Sequence, residues 1–392
     1  MLPAIILSSH TMGLGVIRAL GQMGVRSVVF YHEERDAGYV SKYVQERHLV
    51  PHPEYHQDEF VSALLDHAPR LAGCPMFPTS DAALSAVSRH MDALKPHYKL
   101  GFTEWAITEL FLDKKHTYAL ADANGVPAPR TVIPQSVAEA EQFARQIEFP
   151  CLVKPCQSHL YYAVFKQKMV QVETARQMIQ VYLEAARAGL DVILQEIIPG
   201  GDDCGVNYNA YFWDGEPLVE FTAQKVRNAP PTFGSPRVIV SKAIPEVIEP
   251  GRKILQAMGF YGYACTEFKR DPRDGVYKLM EVNGRHNLST LLAVKCGINF
   301  PWLHYQHLVN GTLPQAGEFR AGVYWIDLLR DVGYSVKSFR QEHYRVSQYI
   351  RPYLKPHVFA ILSLRDPKPF MRRVSGLLRP GTARAQAGDA RS

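Results

Sequence analysis

The sequence predicts a multidomain protein of mixed α/β and α+β class, and three observations support this. The chain has 392 residues, of which 46% are hydrophobic, so it is longer than one ordinary hydrophobic core accommodates. Its N-terminal quarter alternates short apolar runs with helical stretches, a pattern typical of a parallel sheet covered by helices. Residues 205–282 instead carry several strands, two of them joined by the sequence Asp-Pro-Arg-Asp-Gly, which is typical of a hairpin turn.

The N-terminal pattern predicts a Rossmann-like sheet, whose ligands bind beyond the carboxyl ends of the strands. The first turn contains Gly13 and Gly15 but lacks the G-x-G-x-x-G motif, so an ordinary strand-to-helix turn explains it at least as well as a dinucleotide site does. The predicted elements here are strands at 4–8 and 27–31, helices at 14–23 and 57–71, and a strand that ends in the polar turn at 76–81.

The middle of the chain is predicted to form two lobes joined by a bend. A buried strand at 149–155 contains Lys154, and a strand at 192–198 ends at Pro199-Gly200-Gly201, which is a strong break signal. The predicted regions are a Rossmann-like domain at residues 1–105, a small lobe with its connector at 106–195, a large lobe at 196–315, and a helical C-terminal extension with a tail at 316–392.

Composition and charge exclude several classes of function. The net charge of +6 is mildly basic, and no zinc-finger, Arg-Gly-rich or leucine-zipper pattern is present, so no nucleic-acid partner is expected. Six scattered cysteines without a Cys-x-x-Cys pair are typical of free thiols in a reducing compartment. The N-terminus lacks the pattern of a signal peptide, and no apolar run is long enough to span a bilayer. We therefore expect a cytoplasmic protein.

The C-terminal region raises a second possibility for localisation. An apolar run at 358–364 lies close to the basic residues Lys368, Arg372, Arg373 and Arg379. Such a segment would suit peripheral contact with an anionic membrane on the inner face of the cell. A solvated basic helix explains the same pattern, and it is the interpretation we favour.

The clearest chemical signal is a group of oxygen ligands on two strands. Alternation places Glu281 and Asn283 on one face of a strand, and the hairpin brings Glu267 of the preceding strand beside them. Two carboxylates in a partly buried sheet are costly unless a cation neutralises them, and Mg²⁺ prefers oxygen ligands together with phosphate oxygens. Arg285 follows and would add a fork of donors for a phosphate or an oxyanion. A solvated hairpin with ordinary surface charge is the alternative.

Further cations are predicted near these oxygens. Lys225 and Arg227 alternate on one strand, so both would point into the cleft between the lobes. Phosphoryl transfer is catalysed mainly by positioning and charge stabilisation, which cations and Mg²⁺ supply. Charges at an exposed strand edge would explain the same pattern.

Three motifs in order resemble the ATP-grasp superfamily: the Pro-x-x-x-Lys-Pro strand at 150–155, the Gln-Glu-x-x-Pro-Gly hinge at 195–200, and Glu267 followed by Glu-x-Asn-x-Arg at 281–285. The resemblance covers residues 112–311 and is greatest to the carboxylate-amine ligases that include D-aspartate ligase. It implies an ATP-grasp fold with an N-terminal Rossmann-like (pre-ATP-grasp) domain and a C-terminal helical extension.

The resemblance also implies cofactors and a role for each matching residue. ATP and Mg²⁺, with Mn²⁺ as a substitute, would bind between the lobes, and a carboxylate would be activated as an acyl phosphate and passed to an amine. The ATP residues would be Lys154, Lys168 (or Lys166), Gln195, Glu196, Ile198 and Asp203; the metal ligands would be Glu267, Glu281 and Asn283; and the catalytic cations would be Lys225, Arg227 and Arg285.

The sequence departs from the family pattern at two places. The stretch 157–162 after Lys154 contains no glycine, whereas many relatives close a glycine-rich loop over the phosphates there. Gly284 stands where relatives often have proline, which loosens the turn that directs Arg285.

The substrates expected are a small carboxylate and an amine. The residues expected to contact them are His10, Asp81, His286 and Asn287. Their identity is not encoded in a motif, and a homodimer is left open. Three rival functions remain at this stage: another ATP-grasp chemistry such as carboxylation or thiol ligation, a non-catalytic ATP-binding protein, and a nicotinamide-dependent oxidoreductase.

Overall fold

In a computed structural model of the chain, residues 1–156, 161, 164–165, 169–231, 234–342 and 345–378 are described. Lys166, Lys168, most of the loop after Lys154 and the tail from residue 379 lie outside the described residues. The described residues form one parallel sheet and two further sheets, which correspond to the N-terminal region and the two lobes.

The N-terminal sheet is parallel, with strand order β3-β2-β1-β4-β5. The order reverses between β1 and β4, which is the switch point where ligands bind in sheets of this kind. The strand β3 was not predicted, because its alternating half-buried and exposed residues are mostly polar. The bounds are β1 Ala4–Leu7, β2 Ser27–Tyr31, β3 Val44–Leu49, β4 Pro75–Pro78, β5 Lys99–Leu100, α1 Thr11–Gly21, α2 Gln57–Asp66, α3 Asp81–Arg89, α4 Met91–Leu94, α5 Trp105–Leu112 and α6 Lys114–Ala123.

The small lobe is a four-stranded antiparallel sheet of order β6-β9-β7-β8, with helices packed against it. The strands that carry Lys154 and Gln195 are direct neighbours in this sheet. The bounds are β6 Thr131–Val132, α7 Val137–Ala144, β7 Cys151–Pro155, β8 Val170–Val172, α8 Ala175–Arg187 and β9 Val192–Glu196.

The large sheet has seven strands in the order β14-β13-β10-β11-β12-β15-β16. Its last two strands come from the region beyond residue 315. The bounds are β10 Gly205–Trp213, β11 Glu216–Ala229, β12 Ser235–Ser241, α9 Ile248–Ala257, β13 Gly262–Arg270, β14 Tyr277–Asn283, α10 Thr290–Lys295, α11 Phe300–Asn310, β15 Tyr324–Ile326, α12 Leu328–Glu342, α13 Val346–Leu354, β16 His357–Phe359 and α14 Lys368–Leu378.

The prediction of a separate helical extension at 316–392 is therefore wrong in one respect. The described part of this region has three helices, but β15 pairs with β12 and β16 pairs with β15, so the large sheet continues past residue 315. Both strands have only three residues. Strands this short show no clear alternation in the sequence, and long-range pairing alone defines them.

The apolar run at 358–364 is partly inside the protein. Ala360 and Ile361 are 1% and 7% exposed and belong to a core with Trp325. The segment is also tied to the N-terminal region, because Arg18 Nε donates to the Asp366 carboxylate at 3.0 Å. Burial removes much of the apolar surface on which the membrane interpretation depended, and the structure does not support that interpretation. Among the described residues, no helix combines the length and the apolar character needed to cross a membrane.

Candidate functional site

The predicted oxygen ligands meet on β13 and β14. In the antiparallel register Glu267 lies opposite Glu281, and Cys265 lies opposite Asn283. Side chains opposite each other on such a pair are close, and residues two apart share a face. The arrangement predicted from the hairpin is thus confirmed, whereas the role of these residues as metal ligands stays a prediction.

Each of the two carboxylates is paired with a lysine from another element. Lys225 Nζ of β11 lies 2.5 Å from Glu267 Oε2, and Lys114 Nζ at the start of α6 lies 3.5 Å from Glu281 Oε1. Burial acts to raise the pKa of Glu267, but the charge and hydrogen bond of Lys225, together with the charges of Arg285 and Lys114, lower it below its usual value. The Glu281 carboxylate raises the pKa of Lys114. The carboxylates and lysines therefore form one connected charge cluster.

Lys114 was missed by sequence reasoning, although a signal was present. It is the first residue of α6, after the N-cap Asp113, whose side chain accepts from the backbone N of Lys115. A cation at a helix N-terminus opposes the helix dipole and is unfavourable for the isolated helix. A lysine at such a position indicates a requirement other than helix stability.

Lys154 reaches the same cluster from the small lobe. Its Nζ donates to Gln195 Oε1 at 2.5 Å, and Gln195 Nε2 donates to Thr131 Oγ1 at 2.9 Å. Burial lowers the pKa of Lys154 to about 7, with a further contribution from the nearby Lys114. The protein therefore holds a lysine whose charge is poorly compensated, which is a favourable environment for an anionic ligand.

The hinge residues differ in their availability to a nucleotide. The Glu196 carboxylate already accepts from the backbone N of Arg130 at 3.0 Å and from Arg273 Nη2 at 3.5 Å. Ile198 is buried, whereas Asp203 is exposed. Of the two acids predicted for the ribose, Asp203 is the one whose carboxylate is open to a ligand.

Arg285, Asp81 and His10 come together at the switch point of the N-terminal sheet. Arg285 Nε and Nη2 each lie 2.7 Å from an oxygen of Asp81, the first residue of α3. His10 Nδ1 accepts from the backbone N of Met12 at 3.2 Å, and burial followed by the charge of Arg285 lowers the pKa of His10 to about 3. Three predicted residues that are distant in sequence therefore adjoin, with His10 neutral.

Arg227 does not face the cleft, so that prediction is wrong. A register irregularity in β11 between Lys225 and Arg227 breaks the alternation on which it depended. The Arg227 guanidinium is buried and binds both oxygens of Asp331 in α12, at 3.0 and 2.8 Å. Its place is in a structural ion pair between the large sheet and the C-terminal helices.

His286 and Asn287 lie behind Arg285, inside the protein. Asn287 Nδ2 donates to Asn209 Oδ1 at 2.7 Å, so this end of its amide is used within the large lobe, and its contact with substrate stays a prediction. The buried His286 ring stacks on Tyr263 with centroids 4.2 Å apart, and burial lowers its pKa well below the usual value. His286 lines a small cavity with Arg285, and its contact with substrate stays a prediction.

The residues present fit Mg²⁺ held together with a phosphate ligand. Within the described ranges, no group of three or more His, Cys, Asp or Glu side chains is gathered for a metal. Two carboxylates and one amide oxygen are too few for a complete protein cage. They suit Mg²⁺, which is commonly bound by one or two carboxylates and completes its shell with water and substrate phosphates.

Known proteins similar to this chain include ligases. No protein-family model matches the chain. Over 236 residues, 56% of this chain, it is 25% identical to the D-aspartate ligase of Enterococcus faecium, and the match covers 55% of that ligase. The chain thus spans about half the length of this curated relative.

Two solved structures share its fold. The L-amino acid ligase from Bacillus licheniformis has a TM-score of 0.61 at 16% identity, covering 79% of this chain and 74% of that chain. The N5-carboxyaminoimidazole synthetase from Staphylococcus aureus, in complex with ADP, has a TM-score of 0.65 at 13% identity, covering 87% of this chain and 86% of that chain. In sequence the chain is thus similar to a D-aspartate ligase, and it shares the fold of these two ATP-grasp structures.

Proposed function

We propose that this protein is an ATP-dependent carboxylate-amine ligase that forms an amide bond through an acyl phosphate. One observation carries the proposal: Glu267 and Glu281 lie opposite each other within a cluster of lysines drawn from separate elements. An ion-pair cluster of this kind is costly to assemble for stability alone, but it matches the charges of a metal-bound triphosphate.

The reaction has two steps. A substrate carboxylate oxygen attacks the γ-phosphorus of ATP, which forms the acyl phosphate and releases ADP. The amine nitrogen then attacks the acyl carbon, a C–N bond forms, the C–O bond to phosphate breaks, and the amine proton passes to solvent. The protein supplies positioning and charge stabilisation, and no covalent nucleophile is needed.

Each charged residue has a proposed task in this scheme. Lys154 and Lys114 would bind phosphate oxygens, and Arg285 would donate to the acyl oxygen as negative charge develops on it. Glu267, Glu281 and Asn283 would hold Mg²⁺, which neutralises phosphate charge when bound. Lys225 would orient the Glu267 carboxylate, to which its ammonium donates a hydrogen bond.

The positions of the remaining residues assign one end of the cleft to the nucleotide and the other to the substrates. The hinge at Glu196 and Ile198 would bind the adenine through its backbone, with Asp203 at the ribose. Asp81 and His10 adjoin Arg285, so they would contact the acid or amine substrate, which we propose to be an amino acid or a peptide-like molecule.

The proposal is tested by screening pairs of amino acids and small peptides for ADP release. Release is expected only when both an acid and an amine are present, and hydroxylamine should trap the activated acid as a hydroxamate. An ¹⁸O-labelled carboxylate should pass one label to inorganic phosphate. ADP release that depends on bicarbonate or a thiol instead of an amine would assign another ATP-grasp chemistry. Tight ATP binding without turnover for any pair would indicate a non-catalytic protein.

Lys154→Ala is expected to weaken MgATP binding by roughly 10- to 100-fold, because it removes a charged hydrogen bond worth about 1.5–3 kcal/mol. Calorimetric titration with MgATP measures the change. Lys253→Ala, at an exposed position of α9, removes an equal charge away from the cluster and serves as the control. Equal affinities for the two variants would contradict the role of Lys154.

A further inference from the structure

A series of three hydrogen bonds, each with a defined donor and acceptor, ends at Lys154. Thr131 Oγ1 donates to the backbone O of Pro129 at 2.8 Å and accepts from Gln195 Nε2. The other end of the Gln195 amide, Oε1, accepts from Lys154 Nζ. This hydrogen-bond series crosses three adjacent strands, since Thr131 pairs directly with Gln195 and the strand of Lys154 lies on the other side of Gln195.

The backbone carbonyl of Pro129 determines which group donates and which accepts in each of these hydrogen bonds. A backbone carbonyl can only accept, so the single Thr131 hydrogen must point at Pro129. The Thr131 oxygen then accepts from the Gln195 NH₂ group, which leaves the Gln195 oxygen facing Lys154. The amide cannot flip without placing its NH₂ against an ammonium, and the fully buried Gln195 side chain has no water with which to compensate.

Resting on the nucleotide site proposed above, we propose that Gln195, oriented by Thr131, is a positioning residue that holds the Lys154 ammonium toward the cleft without neutralising its charge. A glutamine oxygen occupies one of the three ammonium hydrogens and leaves two for phosphate oxygens. A carboxylate at this position would hold the lysine equally well but would cancel the charge that attracts the nucleotide. The Gln195 amide therefore orients the Lys154 ammonium and leaves its positive charge in place.

The groups around Lys154 indicate that a change in nucleotide affinity near neutral pH would come from the titration of this lysine. Lys114 faces it from α6 and Glu281 faces it from β14, while the Tyr118 side chain of α6 contacts the Gln195 amide. The Glu281 carboxylate raises the pKa of Lys114, and burial raises the pKa of Tyr118, so both titrate well above neutrality. Of Lys114, Tyr118 and Lys154, it is Lys154, with a pKa of about 7, whose charge changes near neutral pH.

The decisive variant is Gln195→Glu, studied by titration with MgADP across a range of pH. For the unaltered protein, affinity should be constant below pH 7 and fall above it, because MgADP selects the protonated lysine. Gln195→Glu should bind MgADP about 10-fold more weakly at pH 6, since the new carboxylate competes for the lysine, and its affinity should begin to fall only at higher pH.

Two further variants separate orientation from packing. Thr131→Val keeps the shape but removes the acceptor for the Gln195 NH₂ group, so MgADP affinity should fall several-fold, and Thr131→Ser should restore it. Lys154→Arg stays charged at every pH tested and should lose the decline above pH 7, which excludes titration of the nucleotide as its cause.

The outcomes distinguish this inference from the function on which it rests. If the unaltered protein fails to bind MgADP, the proposed nucleotide site is wrong. If it binds MgADP but Gln195→Glu shows the same affinity and the same pH profile, only the role of Gln195 is overturned. Circular dichroism of each variant checks that the fold is kept.

Discussion

Glu281→Gln is expected to lower the rate of ATP-dependent ADP release by about 10²- to 10³-fold, the range seen when one electrostatic group is removed from a reaction site. The substitution keeps the shape of the side chain but removes a charge from the proposed Mg²⁺ site. The folded protein should change little, because Glu281 and Lys114 are both partly exposed, and such pairs contribute about 0–1 kcal/mol to stability.

A matched control is available on the same sheet. Glu216 is exposed at the start of β11, and Glu216→Gln should leave ADP release unchanged. If the loss in Glu281→Gln is due to the metal, raising the Mg²⁺ or Mn²⁺ concentration should recover part of the activity. Near-normal turnover by Glu281→Gln would mean that the metal site has been assigned to the wrong residues.

Asp331→Asn is expected to have the largest effect on stability, lowering the free energy of unfolding by about 3–5 kcal/mol. Asp331 is fully buried and binds Arg227 through both of its oxygens, while Arg237 Nη1 lies 3.4 Å from Oδ1. Removing the carboxylate deprives two buried guanidinium groups of their shared counter-ion. Urea unfolding followed by tryptophan fluorescence measures the loss, with Trp325 buried in the neighbouring strand.

Two comparisons make this second prediction specific. Tyr353→Phe removes one hydrogen bond to Asp331 and should cost about 1–2 kcal/mol, a smaller loss in the same place. Asp66→Asn, at an exposed position of α2, should be close to neutral. A loss for Asp331→Asn no larger than that for Asp66→Asn would show that the buried ion pair contributes little.

Much of the arrangement of Glu267, Glu281 and Asn283 was predictable because it depends on local rules. The turn between β13 and β14 and the two-residue alternation of each strand determine which side chains meet across the hairpin. The same alternation failed at Arg227, where one irregularity in β11 turned the side chain toward the C-terminal helices. A bulge depends on the partner strand and leaves no clear signal in the sequence.

Other features depended on contacts that local patterns do not contain. Lys114 was not predicted at the site, and Gln195 was predicted only as part of the adenine slot. The C-terminal strands β15 and β16 were taken for part of a helical region, because three residues are too few to show a period. Their identity comes from pairing with a sheet that was formed by earlier parts of the chain.

The sequence by itself determined most of the elements, the order of the three motifs and the pairing of Glu267 with Glu281, because each depends on residues close together or joined by one turn. Only the tertiary structure decided which cations meet these carboxylates and what Arg227 and Gln195 contact. Gln195 and Lys154 are 41 positions apart, and Arg227 and Asp331 are 104 apart. Contacts over such separations form when distant strands pair and helices pack on the sheets, and packing depends on the whole chain at once.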